Sequence, residues 1–124
     1  MNILLIGLGG AAGSVLRYLC FLGVNRLTGI TAFPWSTLTV NVAGCLIIGF
    51  LGGLGAGKQL FAESGRLLIF TGILGGFTTY SAFGLETFYL LRSSQWLLAF
   101  GNVLLQLLLG IGAVALGYWL SKFC

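Results

Sequence analysis

From Leu27 to Gly57, and again from Ser93 to Ser121, the chain carries no charged residue. About twenty apolar residues let an α-helix cross the hydrocarbon core of a bilayer. Inside that core no water satisfies an exposed backbone, so a crossing segment must close its own hydrogen bonds as a helix. Two further segments have the same character. One runs from about Asn2 to Gly23 and is interrupted only by Arg17; the other runs from about Arg66 to Leu91 and contains Glu86. The sequence therefore predicts an all-α membrane protein of four transmembrane helices in a single domain, residues 1–124. The second helix is expected to start near Pro34, because a first helical turn does not need the missing proline N–H. The joints are Asn25 to Gly29, Gly57-Lys58 to Ser64-Gly65, and Arg92-Ser93-Ser94, all built of polar and small residues. The first sixteen residues lack the basic leading region of a signal peptide and read as the start of a retained helix.

Composition removes several function classes. Of 124 residues, 58% are hydrophobic and 6% are charged, against about 25% charged in a soluble domain. The six basic residues are scattered, which is not the patch that nucleic acid requires. Histidine is absent, and with it the commonest general base and metal ligand. Cys20, Cys45 and Cys124 have no metal-ligand spacing and read as small packing residues. With no nucleophile–base constellation and no phosphate loop, the chain is not expected to be an enzyme.

Four spans put Lys58, Arg66 and Lys122 on one side of the membrane and Arg26 and Arg92, with Arg17 if it leans that way, on the other. Basic residues set orientation by their imbalance, and here there is almost none. Insertion in both orientations and a plain scarcity of charge are both compatible with this. Glycine supplies 21 residues, which lets helices approach closely. Pairs at four-residue spacing, such as Gly9 with Gly13 and Gly49 with Gly53, are no more frequent than this glycine content gives by chance.

Polar groups within the hydrocarbon must face protein or water. Thr37, Asn41 and Gly44 share one face of the second helix, and Asn102, Gln106 and Gly110 share one face of the fourth. Such faces either glue helices together or line a pathway; the second helix, with threonines flanking Asn41, favours a lining. The third segment, Thr71 to Gly84, brings glycines, hydroxyls and aromatic rings to mid-membrane. The Gly75-Gly76 pair weakens the helix by about 1 kcal/mol per residue; the helix either breaks there, freeing carbonyls and amides to meet ions, or only kinks and packs closely. Arg17 either snorkels to the interface or lines a vestibule that attracts anions. Glu86 has no partner visible in the sequence.

Three motifs in order resemble the Fluc (CrcB) family of fluoride channels. They are Gly9-Gly10-Ala11-Ala12-Gly13 leading to Arg17-Tyr18; Thr37-Leu38-Thr39-Val40-Asn41 with Gly44; and Gly72-Ile73-Leu74-Gly75-Gly76-Phe77-Thr78-Thr79-Tyr80-Ser81-Ala82-Phe83. The resemblance covers essentially the whole chain. It implies an antiparallel, dual-topology homodimer with two pores, a third helix broken near Gly75 to Thr79, and passive fluoride efflux that protects the cell from fluoride. It implies a structural sodium ion held by backbone carbonyls of Gly75 and Thr78 from both subunits. It also implies a pore built from Asn41, Tyr80, Ser81 and Phe83, with Thr37 and Arg17 nearby, in the inner (plasma) membrane. Tyr80 stands where the family motif usually has phenylalanine, and Ala82 where threonine is usual.

The rival readings are a small multidrug-type transporter and a non-transporting membrane adaptor. The first needs an acid in the first helix, where this chain has Arg17. The second needs only polar glue and leaves the unusual third segment without a purpose.

Overall fold

A computed structural model describes residues 1–29, 31–56 and 61–124. Its first element, α1 (Asn2–Thr28), runs past the Gly23 boundary expected from the sequence. Asn25 and Arg26 belong to its last turn and not to a joint. The arginine suits the negative end of a helix, and Gly29 ends it with φ 70°, its N–H returning to the Asn25 carbonyl. Only glycine adopts that angle readily. The second helix, α2 (Trp35–Gly55), starts one residue after Pro34, which sits outside the first turn; the Pro34 carbonyl accepts from Leu38 N–H at 3.2 Å. Lys58 and Gly57, part of the expected second joint, lie outside the described residues.

The third apolar segment is helical from Glu63 to Arg92 but not uniformly. A short α3 (Glu63–Arg66) leads into wide π-helical turns over Leu67–Leu74, followed by α4 (Gly75–Phe77). The Gly75 N–H reaches back to the Phe70 carbonyl, the five-residue pattern of a π-turn, a geometry often found at functional positions. Thr78 and Thr79 are extended, at φ −82°, ψ 158° and φ −149°, ψ 116°. Helix α5 (Tyr80–Arg92) follows. The glycine pair is itself helical, so the departure falls two residues later than glycine propensity alone suggests. The last helix, α6 (Trp96–Leu120), ends in a 3₁₀ turn, Ser121–Phe123.

Among the described residues, four helical stretches are long and apolar enough to cross a membrane: Asn2–Thr28, Trp35–Gly55, Glu63–Arg92 and Trp96–Phe123. The shortest has 21 residues, about 31 Å at 1.5 Å per residue, which matches a hydrocarbon core of about 30 Å. The protein is a multi-pass, all-helical membrane protein.

Glycine decides which helices touch. A Cβ on Gly9 would sit 2.9 Å from Gly72 Cα, and one on Gly13 would overlap the Ile73 carbonyl. Helix α1 therefore lies backbone to backbone on the third segment. On the other flank, a Cβ on Gly49 would overlap the Val114 carbonyl, and one on Gly117 the Leu46 carbonyl, so α2 and α6 are paired in the same way. Both glycine pairs that the sequence left undiagnostic thus have contacts: Gly53 meets the Ser121 side chain just as Gly49 meets Val114. Val40, Thr37 and Asn102 are the largest fully buried side chains. Two of those three are polar, so the centre of the bundle is a hydrogen-bonded layer.

Candidate functional site

Two side chains from other helices, Arg17 of α1 and Asn41 of α2, converge on Thr78 and Thr79. A continuous helix would give the Thr79 N–H to the Gly75 carbonyl, four residues back. Here the Thr79 N–H donates to Asn41 Oδ1 at 2.8 Å. In return Asn41 Nδ2 donates to the Thr79 carbonyl at 3.0 Å. The side chain from α2 thus satisfies both backbone groups of one extended residue. The Ala82 N–H, which a continuous helix would give to Thr78, donates to Thr79 Oγ1 at 3.2 Å, making Thr79 the N-cap of α5. Both diversions relieve carbonyls, those of Gly75 and Thr78, of their intrahelical donors.

The step therefore has two electrostatic faces. The C-terminal end of α4 presents carbonyl oxygens, where positive charge is favoured. The first turn of α5 presents the N–H groups of Tyr80 and Ser81, where negative charge is favoured. Arg17 reaches this point from α1, its Nη1 lying 3.4 Å from the Thr78 carbonyl. Gly75, Tyr80 and Ser81 are exposed on the single chain, Tyr80 to 84%. The Tyr80 and Phe83 rings lie together, centroids 5.6 Å apart and tilted by 58°. Replacing Thr79 by alanine removes the cap and is expected to destabilise the protein by about 1 kcal/mol, while Thr79→Ser is expected to restore it; thermal unfolding in detergent measures the difference.

The expected site residues divide by what their donors already do. Thr37 Oγ1 donates to Glu86 Oε1 at 2.7 Å. Both hydrogens of Asn41 Nδ2 are engaged, one by Thr79 and one by Gln106 Oε1 at 3.1 Å, so an anion at Asn41 must displace one of them. Ser81 Oγ lies 3.5 Å from Thr79 Oγ1 and is the more available hydroxyl. Asn102 is wholly buried and ties α6 to α5, its Nδ2 donating to Thr87 Oγ1 at 2.9 Å. That is the bonding of helix glue.

Two features around Glu86 had no signal in the sequence. Glu86 and Thr37 are 49 residues apart, and nothing at either position announces the other. Glu86 also borders a cavity of about 380 Å³ that includes Asn25, Thr28, Thr31, Trp35 and Ser36, with Ser36 Oγ donating to Asn25 Oδ1 at 2.6 Å. Among the described residues, Glu86 Oε2, Asn102 Oδ1 and Gln106 Nε2 are buried with no hydrogen-bond partner. A buried polar group left without a partner costs about 1–3 kcal/mol. No cluster of histidine, cysteine or acidic side chains that could hold a metal occurs among the described residues.

The CrcB-like protein (Camphor Resistance) family model matches residues 4–118. A protein of Helicobacter pylori named fluoride-specific ion channel FluC is 45% identical over 127 residues, covering 98% of this chain and 95% of its own length. A protein of the same name from Opitutus terrae is 50% identical over 117 residues, covering 93% and 88%. One from Methylobacillus flagellatus is 42% identical over 121 residues, covering 98% and 94%. Ion channels so named are not enzymes. With a family match over nearly its whole length and relatives at this identity, the chain belongs to the CrcB-like family.

Proposed function

We propose that this chain is a fluoride-selective channel through which fluoride leaves the cell passively, and that it works as an antiparallel homodimer with two pores in the inner membrane. The observation that carries the reading is the extended Thr78–Thr79 step, which we take as a break in a membrane-spanning helix. Non-helical backbone at membrane depth is tolerated only where it is buried in protein or lines a water-filled cavity. On one chain Gly75, Tyr80 and Ser81 are exposed, so a second copy is the natural cover. The nearly even split of basic residues between the two sides supports insertion in both orientations.

Fluoride is small and strongly hydrated, so a pore must replace its water with donors. The Ser81 hydroxyl, the N–H groups opening α5, and the electropositive edges of Tyr80 and Phe83 supply them. Asn41 joins when it releases Gln106, and Thr37 when it releases Glu86. Arg17 draws anions towards the step. The contacts must be strong enough to admit the ion and weak enough to let it go.

The donor set also fits a structural sodium ion. A hard cation takes oxygen ligands, several at a time, and the Gly75 and Thr78 carbonyls have lost their helical donors. Two carbonyls are too few, so two chains would share the ion. When bound, it would supply a fixed positive charge and tie the chains together at the break.

Expression in bacteria that lack a fluoride exporter tests the reading. The chain is expected to restore growth in fluoride, and Phe83→Ala to abolish the rescue at equal expression. Tyr80→Phe and Ala82→Thr, which restore the usual family residues, are expected to retain it. No rescue by any of these forms would sink the proposal.

A further inference from the structure

We infer that Gln106 is a positioning residue for the ion-conducting step: it fixes the carboxamide of Asn41, and through it the backbone of Thr78 and Thr79. The inference rests on the proposed channel function only for its consequence on flux. Its physical basis is a chain of three hydrogen bonds across α2, α6 and the extended pair. Asn41 Oδ1 accepts from the Thr79 N–H at 2.8 Å, and Asn41 Nδ2 donates to the Thr79 carbonyl at 3.0 Å and to Gln106 Oε1 at 3.1 Å. Turned over, the Asn41 carboxamide would set its NH₂ against the Thr79 N–H and its oxygen against two oxygens. The Gln106 oxygen adds the one anchor that comes from outside the step itself.

Gln106 holds this pose at its own expense. Its Nε2 is buried and without a partner among the described residues. Were the side chain to rotate and use Nε2 towards Asn41, two NH₂ groups would face each other. Asn41 therefore dictates which end of Gln106 points inward, and Gln106 in return holds Asn41. Only the Gln106 oxygen matters in this arrangement, which makes the chemistry separable from side-chain size.

Two substitutions separate them. Gln106→Met keeps the length and removes the acceptor; Gln106→Glu keeps an acceptor oxygen. Amide hydrogen exchange of ¹⁵N-labelled protein in detergent micelles reads the Thr79 N–H directly. Gln106→Met is expected to speed exchange at Thr79 roughly fivefold, the scale set by loss of one neutral hydrogen bond. Amides in the middle of α6 should not change, and Gln106→Glu should return Thr79 close to the wild-type rate. Fluoride efflux from liposomes made with the same proteins should fall for methionine; glutamate adds a negative charge beside the path, so the Thr79 exchange rate is what compares the two variants. Unchanged Thr79 exchange in Gln106→Met would overturn the inference, as would equal behaviour of the two variants. If the wild-type protein releases no fluoride, the channel reading fails while the exchange comparison still decides the role of Gln106.

Discussion

Gly49→Val and Gly117→Val are each expected to prevent α2 and α6 from pairing, and so to abolish recovery of folded protein. A Cβ at Gly49 would overlap the Val114 carbonyl and lie 2.8 Å from Val114 Cα. One at Gly117 would overlap the Leu46 carbonyl and lie 2.7 Å from Phe50 N. These obstacles are backbone atoms, which cannot move aside without moving a helix. Overpacking usually costs about 1–3 kcal/mol, and a clash with rigid backbone belongs at or above the top of that range. Lipid is as apolar as a leucine side chain, so close packing is what holds such helices together. A Cβ on Gly101 would meet nothing within 4 Å, so Gly101→Ala should leave the α2–α6 pairing intact. Size-exclusion profiles and thermal unfolding in detergent distinguish the two classes.

Asn41→Asp is expected to cut fluoride flux about a hundredfold. The carboxylate would still accept from the Thr79 N–H, but it would lose both donated bonds and face two oxygens, the Thr79 carbonyl and Gln106 Oε1. An uncompensated charge in a buried network costs about 3–5 kcal/mol, and a tenfold change corresponds to about 1.4 kcal/mol. Part of that cost is relieved if the carboxylate takes up a proton, so two decades is the smaller end of the expected range. A negative charge beside the path also repels the anion. Flux from liposomes at matched protein density reads the effect; wild-type flux in Asn41→Asp would remove Asn41 from the site.

The four spans were legible because charge is so sparse: Arg26, Arg66, Arg92 and Lys122 fall at or near helix ends, and nothing else in the chain interrupts the apolar runs except Arg17 and Glu86. Helix ends were less legible. Asn25 and Arg26 look like a joint but form the last turn of α1, because a positive-φ glycine at 29 and not polarity stops that helix. The weak point of the third segment was also displaced. Gly75 and Gly76 remain helical, and a Cβ on Gly76 would lie 2.5 Å from the Gly10 carbonyl. Close approach of α1 accounts for Gly76, whereas the extended geometry belongs to Thr78 and Thr79. Their conformation is set by Asn41, 38 residues away, and no local propensity reports such a partner. The same holds for Thr37 with Glu86, and for Asn41 with Gln106, whose hydrogen bonds join helices that the sequence lists only as separate polar faces. Local chemistry told which residues were unusual; the pairing of helices told which of them act together.

The most direct test of the account is anion release from sealed liposomes containing the purified protein, followed with fluoride- and chloride-selective electrodes while a potassium ionophore sets the voltage. Fluoride release far above that of protein-free liposomes, with chloride retained, is the expected result. Equal release of both anions, or no fluoride release from folded protein in sodium-containing buffer, would contradict it.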